Sequence, residues 1–328
     1  MSSLQEHLFQ RIREKLPPGS SLAEVVAEHL HVSLDSAYRR IRGETPLVLE
    51  EAGLLCAAFG ISLDHQLGAA EQALAFTAFE PAGDLAAYLR QWLHRLEQWQ
   101  EAARPQLIYF CKDLPLFHEL LIPELLEFRY YFWMRSILRD PSFSEQPFRP
   151  GSLPPEIREL ASGITAAYAQ IPSIEVWNAE SVNSTLVQID YYRQAGYFAS
   201  EADARGVYRA LARTLEHVRL QAEAGTKFLP GQPARFRKAN FELYHNRLVL
   251  ADNSLIAHTG DRLSAYLSYD VLHYLVTTDA DFCAHRLRTL EDRIRRSTLI
   301  SRVGEKQREM FFNHLIRKIP STINPVQP

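Results

Sequence analysis

Cysteine is scarce in this chain. Cys56, Cys111 and Cys283 lie far apart in 328 residues, so a disulfide framework and a CxxC metal pair are both excluded, and a reducing compartment is expected. No run approaches the ~18 consecutive apolar residues of a spanning helix. The N-terminus, Met1-Ser2-Ser3-Leu4-Gln5-Glu6-His7, lacks the basic-then-apolar order of a secretory signal, which points to the cytoplasm. The Asn183-Ser184-Thr185 acceptor pattern then carries no meaning. Neither a Walker loop nor Gly-x-Gly-x-x-Gly occurs, so no familiar phosphate cradle is present. The twelve histidines include no His-Glu-x-x-His, and His29 and His31 fall on different helix faces, so no metal is expected. No nucleophile–base pair stands out, so the chain is not expected to be an enzyme and no cofactor is implied. No repeat of fixed period supports a solenoid.

What is present is an ordinary globular composition, 46% hydrophobic and 23% charged, long enough for about two domains. The net charge of −3 hides an uneven distribution. Residues 1–70 hold six Lys+Arg and nine Asp+Glu, yet Arg39, Arg40 and Arg42 fall within one turn. Residues 286–318 hold ten Lys+Arg and four acids, a balance of +6.

Leu4, Leu8, Phe9, Ile12 and Leu16 repeat at helical spacing, and Pro17-Pro18-Gly19 stops that helix. Ser21-Leu22-Ala23-Glu24 reads as a capping box opening a second helix. His31-Val32-Ser33 interrupts it, and Ser33 caps a third, Leu34 to Arg42, which Gly43 ends. A fourth runs from Leu49 to Phe59, and Ser62-Leu63-Asp64 looks like one more start. Further helices are predicted over 84–103, 114–139 with a kink or break at Pro123, 156–170, 175–195 and 201–224. Residues 69–79 read as a helical connector. Short runs at 241–244, 247–251, 254–258 and 262–267, separated by turn dipeptides, read as a small antiparallel β-meander. Helix resumes over 269–277, 282–297 and 304–319.

The stretch Ala23 to Gly43 resembles the lambda-repressor-like helix-turn-helix of the XRE family. Ala27 is the small residue at the helix crossing. Leu30, Val32, Ala37 and Ile41 match the apolar positions. Tyr38-Arg39-Arg40-Ile41-Arg42-Gly43-Glu44 and Phe59-Gly60-Ile61-Ser62 fit as well. One position departs: His31 stands where the family has glycine at positive φ, at a cost of about 1 kcal/mol. The resemblance covers residues 4–67 and implies a sequence-specific regulator that binds double-stranded DNA as a homodimer on a pseudo-palindromic operator. The third helix would enter the major groove with Leu34, Asp35, Tyr38, Arg39 and Arg42 outward. Arg39 suits guanine, Leu34 a thymine methyl and Asp35 a cytosine amine. Ser33, Arg40, Arg42 and the Ser21–Leu22 helix start would meet phosphates.

The expected fold is therefore mainly α. Residues 1–67 form a helix-turn-helix bundle, 68–83 a connector, and 84–328 a helical region with the meander near 241–267, for sensing or dimerisation. An unknown effector is a possible partner there. The acidic first domain keeps a second reading open, a protein-interaction adaptor that uses the same fold without DNA. Phe128–Met134 reads as a buried core helix before a flat-ligand pocket. Trp177–Thr185 reads equally as effector-pocket lining and as a loop-to-helix boundary. The basic run 286–318 reads as a solvated face before a phosphate track.

Overall fold

The computed structural model describes residues 4–16, 20–61, 74–232, 239–248 and 253–320. Contacts divide the chain into two compact units, Met1–Ala75 and Phe76–Pro328.

Among the described residues of the first unit the apolar spacing becomes four helices: α1 (Leu4–Lys15), α2 (Leu22–Leu30), α3 (Leu34–Ile41) and α4 (Leu49–Phe59). Leu8, Phe9 and Ile12 pack with Leu22, Val26, Ala37, Leu55 and Cys56 in one core. The Ser21 and Ser33 hydroxyls accept the N–H groups of Glu24 and Ser36, which satisfies donors that a helix start leaves free. His31 adopts φ 53, ψ 41, the left-handed conformation that the tight turn requires. Helix α3 stops because Gly43 takes φ 75. The Gly43 N–H then donates to the Arg40 carbonyl at 3.0 Å and the Glu44 N–H to Arg39 at 2.9 Å, a Schellman closure. The stop at Pro17-Pro18-Gly19 and the start at Ser62-Leu63-Asp64 lie outside the described residues.

The second unit overturns the expected fold class. It is not a helical region with a small antiparallel meander. It is built on a mixed eight-stranded sheet: β1 (Thr77–Phe79), β2 (Gln106–Cys111), β3 (Ser173–Trp177), β4 (Phe241–His245), β5 (Ser254–Thr259), β6 (Arg262–Ser268), β7 (Tyr274–Thr277) and β8 (Thr298–Leu299). The order is β1-β7-β6-β5-β2-β3-β4-β8. The central β2-β3-β4 pairs are parallel and the flanking pairs antiparallel. Strand β4, expected to open the meander, pairs instead with β3 and β8. The β5–β6 hairpin across Gly260-Asp261 forms in the register Thr259↔Arg262. The predicted helices over 269–277 and 175–195 give way in part to β7 and β3. The predicted connector helix over 69–79 ends in β1, and its residues 69–73 lie outside the described set, as does most of the run 247–251.

Among the described residues eight α-helices accompany the sheet: α5 (Leu85–Glu101), α6 (Leu116–Glu119), α7 (Pro123–Phe132), α8 (Pro155–Tyr168), α9 (Asn183–Gln194), α10 (Glu201–Ala224), α11 (Ala280–Arg295) and α12 (Glu305–Arg317). The break at Pro123 is a new helix start with proline in its first turn, where its missing N–H costs nothing. Strand alternation sorts two cores. Leu107, Tyr109 and Cys111 enter the large one with Trp92, Phe117, Phe128 and Trp133. Ile108 and Phe110 face Cys283 and Leu290 of α11. The aromatic run Phe128–Trp133 belongs to the large core.

Candidate nucleic-acid interface

Helix α3 turns one small residue inward and its large polar ones outward. Ala37 is wholly buried, while Leu34 is 46% and Tyr38 45% exposed. Ser33, Asp35, Arg39 and Arg42 are exposed as well. The helix is amphipathic because Ala37 and Ile41 recur at i, i+4 among polar neighbours. Six of the seven predicted contact residues therefore share open surface at one helix.

Arg40 is the exception, and its surroundings explain why. Its guanidinium grips the Glu51 carboxylate through both oxygens, at 2.7 and 3.0 Å, and donates to the Ser36 hydroxyl at 2.7 Å. The Arg40 hydrogen bond holds the Glu51 carboxyl below its ordinary range despite burial. Glu51 also accepts the Val48 N–H at 3.3 Å, which caps α4. Arg40 thus locks α3 to α4. Gln5, which drew no attention in the sequence, completes the frame. Its amide donates to the carbonyls of Arg40 and Thr45 and accepts from Leu47 N–H, at 2.6, 2.8 and 2.9 Å.

The exposed arginines also have acidic neighbours. Arg39 pairs with Asp35 at 3.1 Å and Arg42 with Glu44 at 2.7 Å. The Arg42 hydrogen bond lowers the Glu44 carboxyl pKa. Both pairs are solvent-facing and screened, so a stronger partner can exchange them readily.

The second unit holds charged groups that sequence reading missed. Glu175 is fully buried on β3. It accepts from the His118 ring at 2.9 Å, from Trp177 Nε1 at 2.8 Å, and from the Tyr168 hydroxyl. Burial pushes the Glu175 carboxyl up, but His118, Tyr168 and Lys227 together bring it below its ordinary value. Lys227 lies with its Nζ 3.5 Å from the Tyr168 ring centroid. Glu119 and Arg129 form a second buried pair, 3.1 Å apart. A glutamate within a β-branched and aromatic strand was the available signal for Glu175, and it was outweighed by helical spacing after 175.

The basic run 286–318 follows neither expected reading throughout. Arg308 is buried and donates to the Ile300 carbonyl at 3.1 Å. Lys318 donates to the Ala179 carbonyl at 2.5 Å, and Arg302 to that of Gly225 at 3.2 Å. Among the described residues no group of three or more His, Cys, Asp or Glu side chains is arranged to hold a metal. No helix among them is long and apolar enough to cross a membrane.

The chain matches no protein-family profile, no curated protein and no solved structure.

Proposed function

We propose that this protein is a sequence-specific DNA-binding transcriptional regulator of the cytoplasm, acting as a homodimer through an N-terminal helix-turn-helix of the XRE type. The observation that carries the reading is the outer face of α3, where Leu34, Tyr38, Arg39 and Arg42 stand exposed on a helix locked by Arg40–Glu51. A recognition helix fixed in place, with exposed polar side chains, suits direct readout in the major groove. Arg39 reads guanine, and Ser33 and Arg42 meet phosphates. Arg40 acts as a positioning residue that sets the angle of α3. The reading assigns the chain no reaction and no cofactor.

Selection of bound sites from random duplex tests this directly. A two-fold symmetric consensus is expected, with affinity falling steeply as salt rises. Arg39→Ala should relax preference at one position in each half-site by about 1–3 kcal/mol. No enrichment, or binding that ignores salt, would remove the reading.

One observation favours a second reading, the protein-interaction adaptor. Every arginine of the α3 segment already has a carboxylate partner: Asp35, Glu51 and Glu44. On that reading the exposed Leu34 and Tyr38 are the contact residues, and loss of Arg39 changes no DNA preference.

A further inference from the structure

The second unit contains a cavity of about 200 Å³ just beyond the carboxyl end of the parallel strand β2. Open α/β sheets place ligands at such strand ends. The size is below the roughly 300–1,000 Å³ of drug-sized sites, which suits a small ligand.

Its chemistry is unusual for a structural void. Glu119 and Arg129, 5% and 3% exposed, both line it. Two charges out of water are costly unless they are fully hydrogen-bonded. This pair is not fully bonded. Arg129 Nε has no partner in hydrogen-bonding geometry, although a Glu119 oxygen lies 3.1 Å away. The far end of the Arg129 guanidinium donates to Gln188. Burial lifts the Glu119 carboxyl to about 7, against the pull of Arg129.

A second carboxylate, Asp113, stands half-buried on the same wall, just past the end of β2. Consecutive residues at the start of α9 hold the two acids. Ser184 donates to Asp113, and Thr185 to Glu119 at 3.4 Å. Lys112 and Asp270 line the exposed rim. The lining therefore carries two cations and three carboxylates. It is close to neutral when Glu119 holds its proton, with both signs present. A lone anion would meet Asp113, and a lone amine would bring a second cation beside Arg129, which already has Glu119 and Gln188 as neighbours.

We infer that this cavity binds a small zwitterion of the free amino acid class, its carboxylate taken by Arg129 and its ammonium by Asp113 with Glu119. The site answers to a ligand whether or not α3 binds DNA, so its test contains no DNA.

The test is calorimetric titration of the full chain with the common amino acids. Size-matched carboxylates without the amine, and amines without the carboxylate, serve as controls. At least one amino acid should bind with one site per chain. Controls lacking either charge should bind ~10-fold or more weakly, the loss expected for one charge-assisted hydrogen bond. Arg129→Met and Asp113→Asn should each weaken binding by about 10- to 100-fold. Far-UV circular dichroism checks that the variants fold. If Arg129→Met does not, Asp113→Asn and Ser184→Ala carry the test at the half-buried wall. Absence of binding by every amino acid at millimolar concentration would overturn the proposal. So would equal binding of a single-charge control, or binding that survives in the folded variants.

Discussion

Replacing Lys227 by methionine tests how the second unit tolerates a charge in its core. The lysine is 2% exposed, and its Nζ has no hydrogen-bond partner among the described residues. Burial, opposed only in part by Glu175, brings its pKa from 10.5 down to about 7. The unfolded chain takes up this proton near the ordinary value, and the folded chain takes it up only near neutrality. The contribution of Lys227 to stability is thus present above the unfolded pKa and falls with pH down to the folded one. The slope is ~1.4 kcal/mol per pH unit. Methionine keeps the unbranched reach and removes the titration. From about pH 9.5 to about pH 7.5 the native protein should therefore lose ~3 kcal/mol relative to Lys227→Met. Thiols and phenols that also titrate there are common to both proteins and cancel in the difference. Urea unfolding of the full chain measures it by tryptophan fluorescence, because Trp92, Trp99, Trp133 and Trp177 all belong to the second unit. A difference that stays constant over the interval would mean that Lys227 is charged throughout, and the reasoning from burial would fail.

The lock between α3 and α4 has its own signature. Arg40→Met and Glu51→Gln each remove a bidentate pair whose side chains are only 14% and 18% exposed. Each should lower first-unit stability by about 1–3 kcal/mol, and the double variant should lose less than the sum. Far-UV circular dichroism in urea should report the loss while the tryptophan transition stays in place. His31→Gly should raise first-unit stability by about 0.5 kcal/mol, because relief of the left-handed strain slightly exceeds the entropy that glycine loses. A destabilised His31→Gly would show that the imidazole itself holds the turn.

The first unit was legible because its signals are local. Ser21 and Ser33 cap, Gly43 and Gly60 terminate, and apolar residues recur at one helical period. Each of these is decided within a few residues. In the second unit the helices over 84–103, 156–170, 201–224, 282–297 and 304–319 were legible in the same way, but the sheet was not, because its central strands are buried on both faces. Leu107-Ile108-Tyr109-Phe110-Cys111 is a continuous apolar run without alternation, as parallel strands are. Nothing within that run distinguishes it from core helix. In β3 the polar Glu175 interrupts what would otherwise read as a strand, since its partners His118, Tyr168 and Lys227 lie 57, 7 and 52 positions away. Strand β4 carries the right local signal, yet its neighbours are β3 and β8, not the hairpin that follows it in sequence. Pairing across long separations leaves no trace in a short window. The same holds for the arginines of α3. Arg39 and Arg40 are adjacent and chemically identical, and only the position of Glu51 makes one a clamp and leaves the other outward.

Two buried ionic groups of the second unit, around Glu175 and around Glu119, differ in what surrounds them, and the difference decides what each can do. Around Glu175 the space is closed. His118, Tyr168 and Trp177 occupy its oxygens, and Phe117 stacks on Tyr168 at 4.3 Å between centroids. Such a network restrains the packing of β3 against α6 and α8, and its energetic consequence is the pH slope of Lys227. Around Glu119 the space opens. Arg129 Nε faces Glu119 outside hydrogen-bonding geometry, and both residues line the cavity. Apolar residues of the same volume often match or exceed the stability of a buried ion pair, so core packing gives little reason to keep Glu119 and Arg129 there. A polar occupant supplies a reason, because both side chains line the cavity and offer it charge-assisted hydrogen bonds. Buried charge next to space is thus the feature of this fold that points to recognition, whereas buried charge sealed by aromatic rings points to architecture.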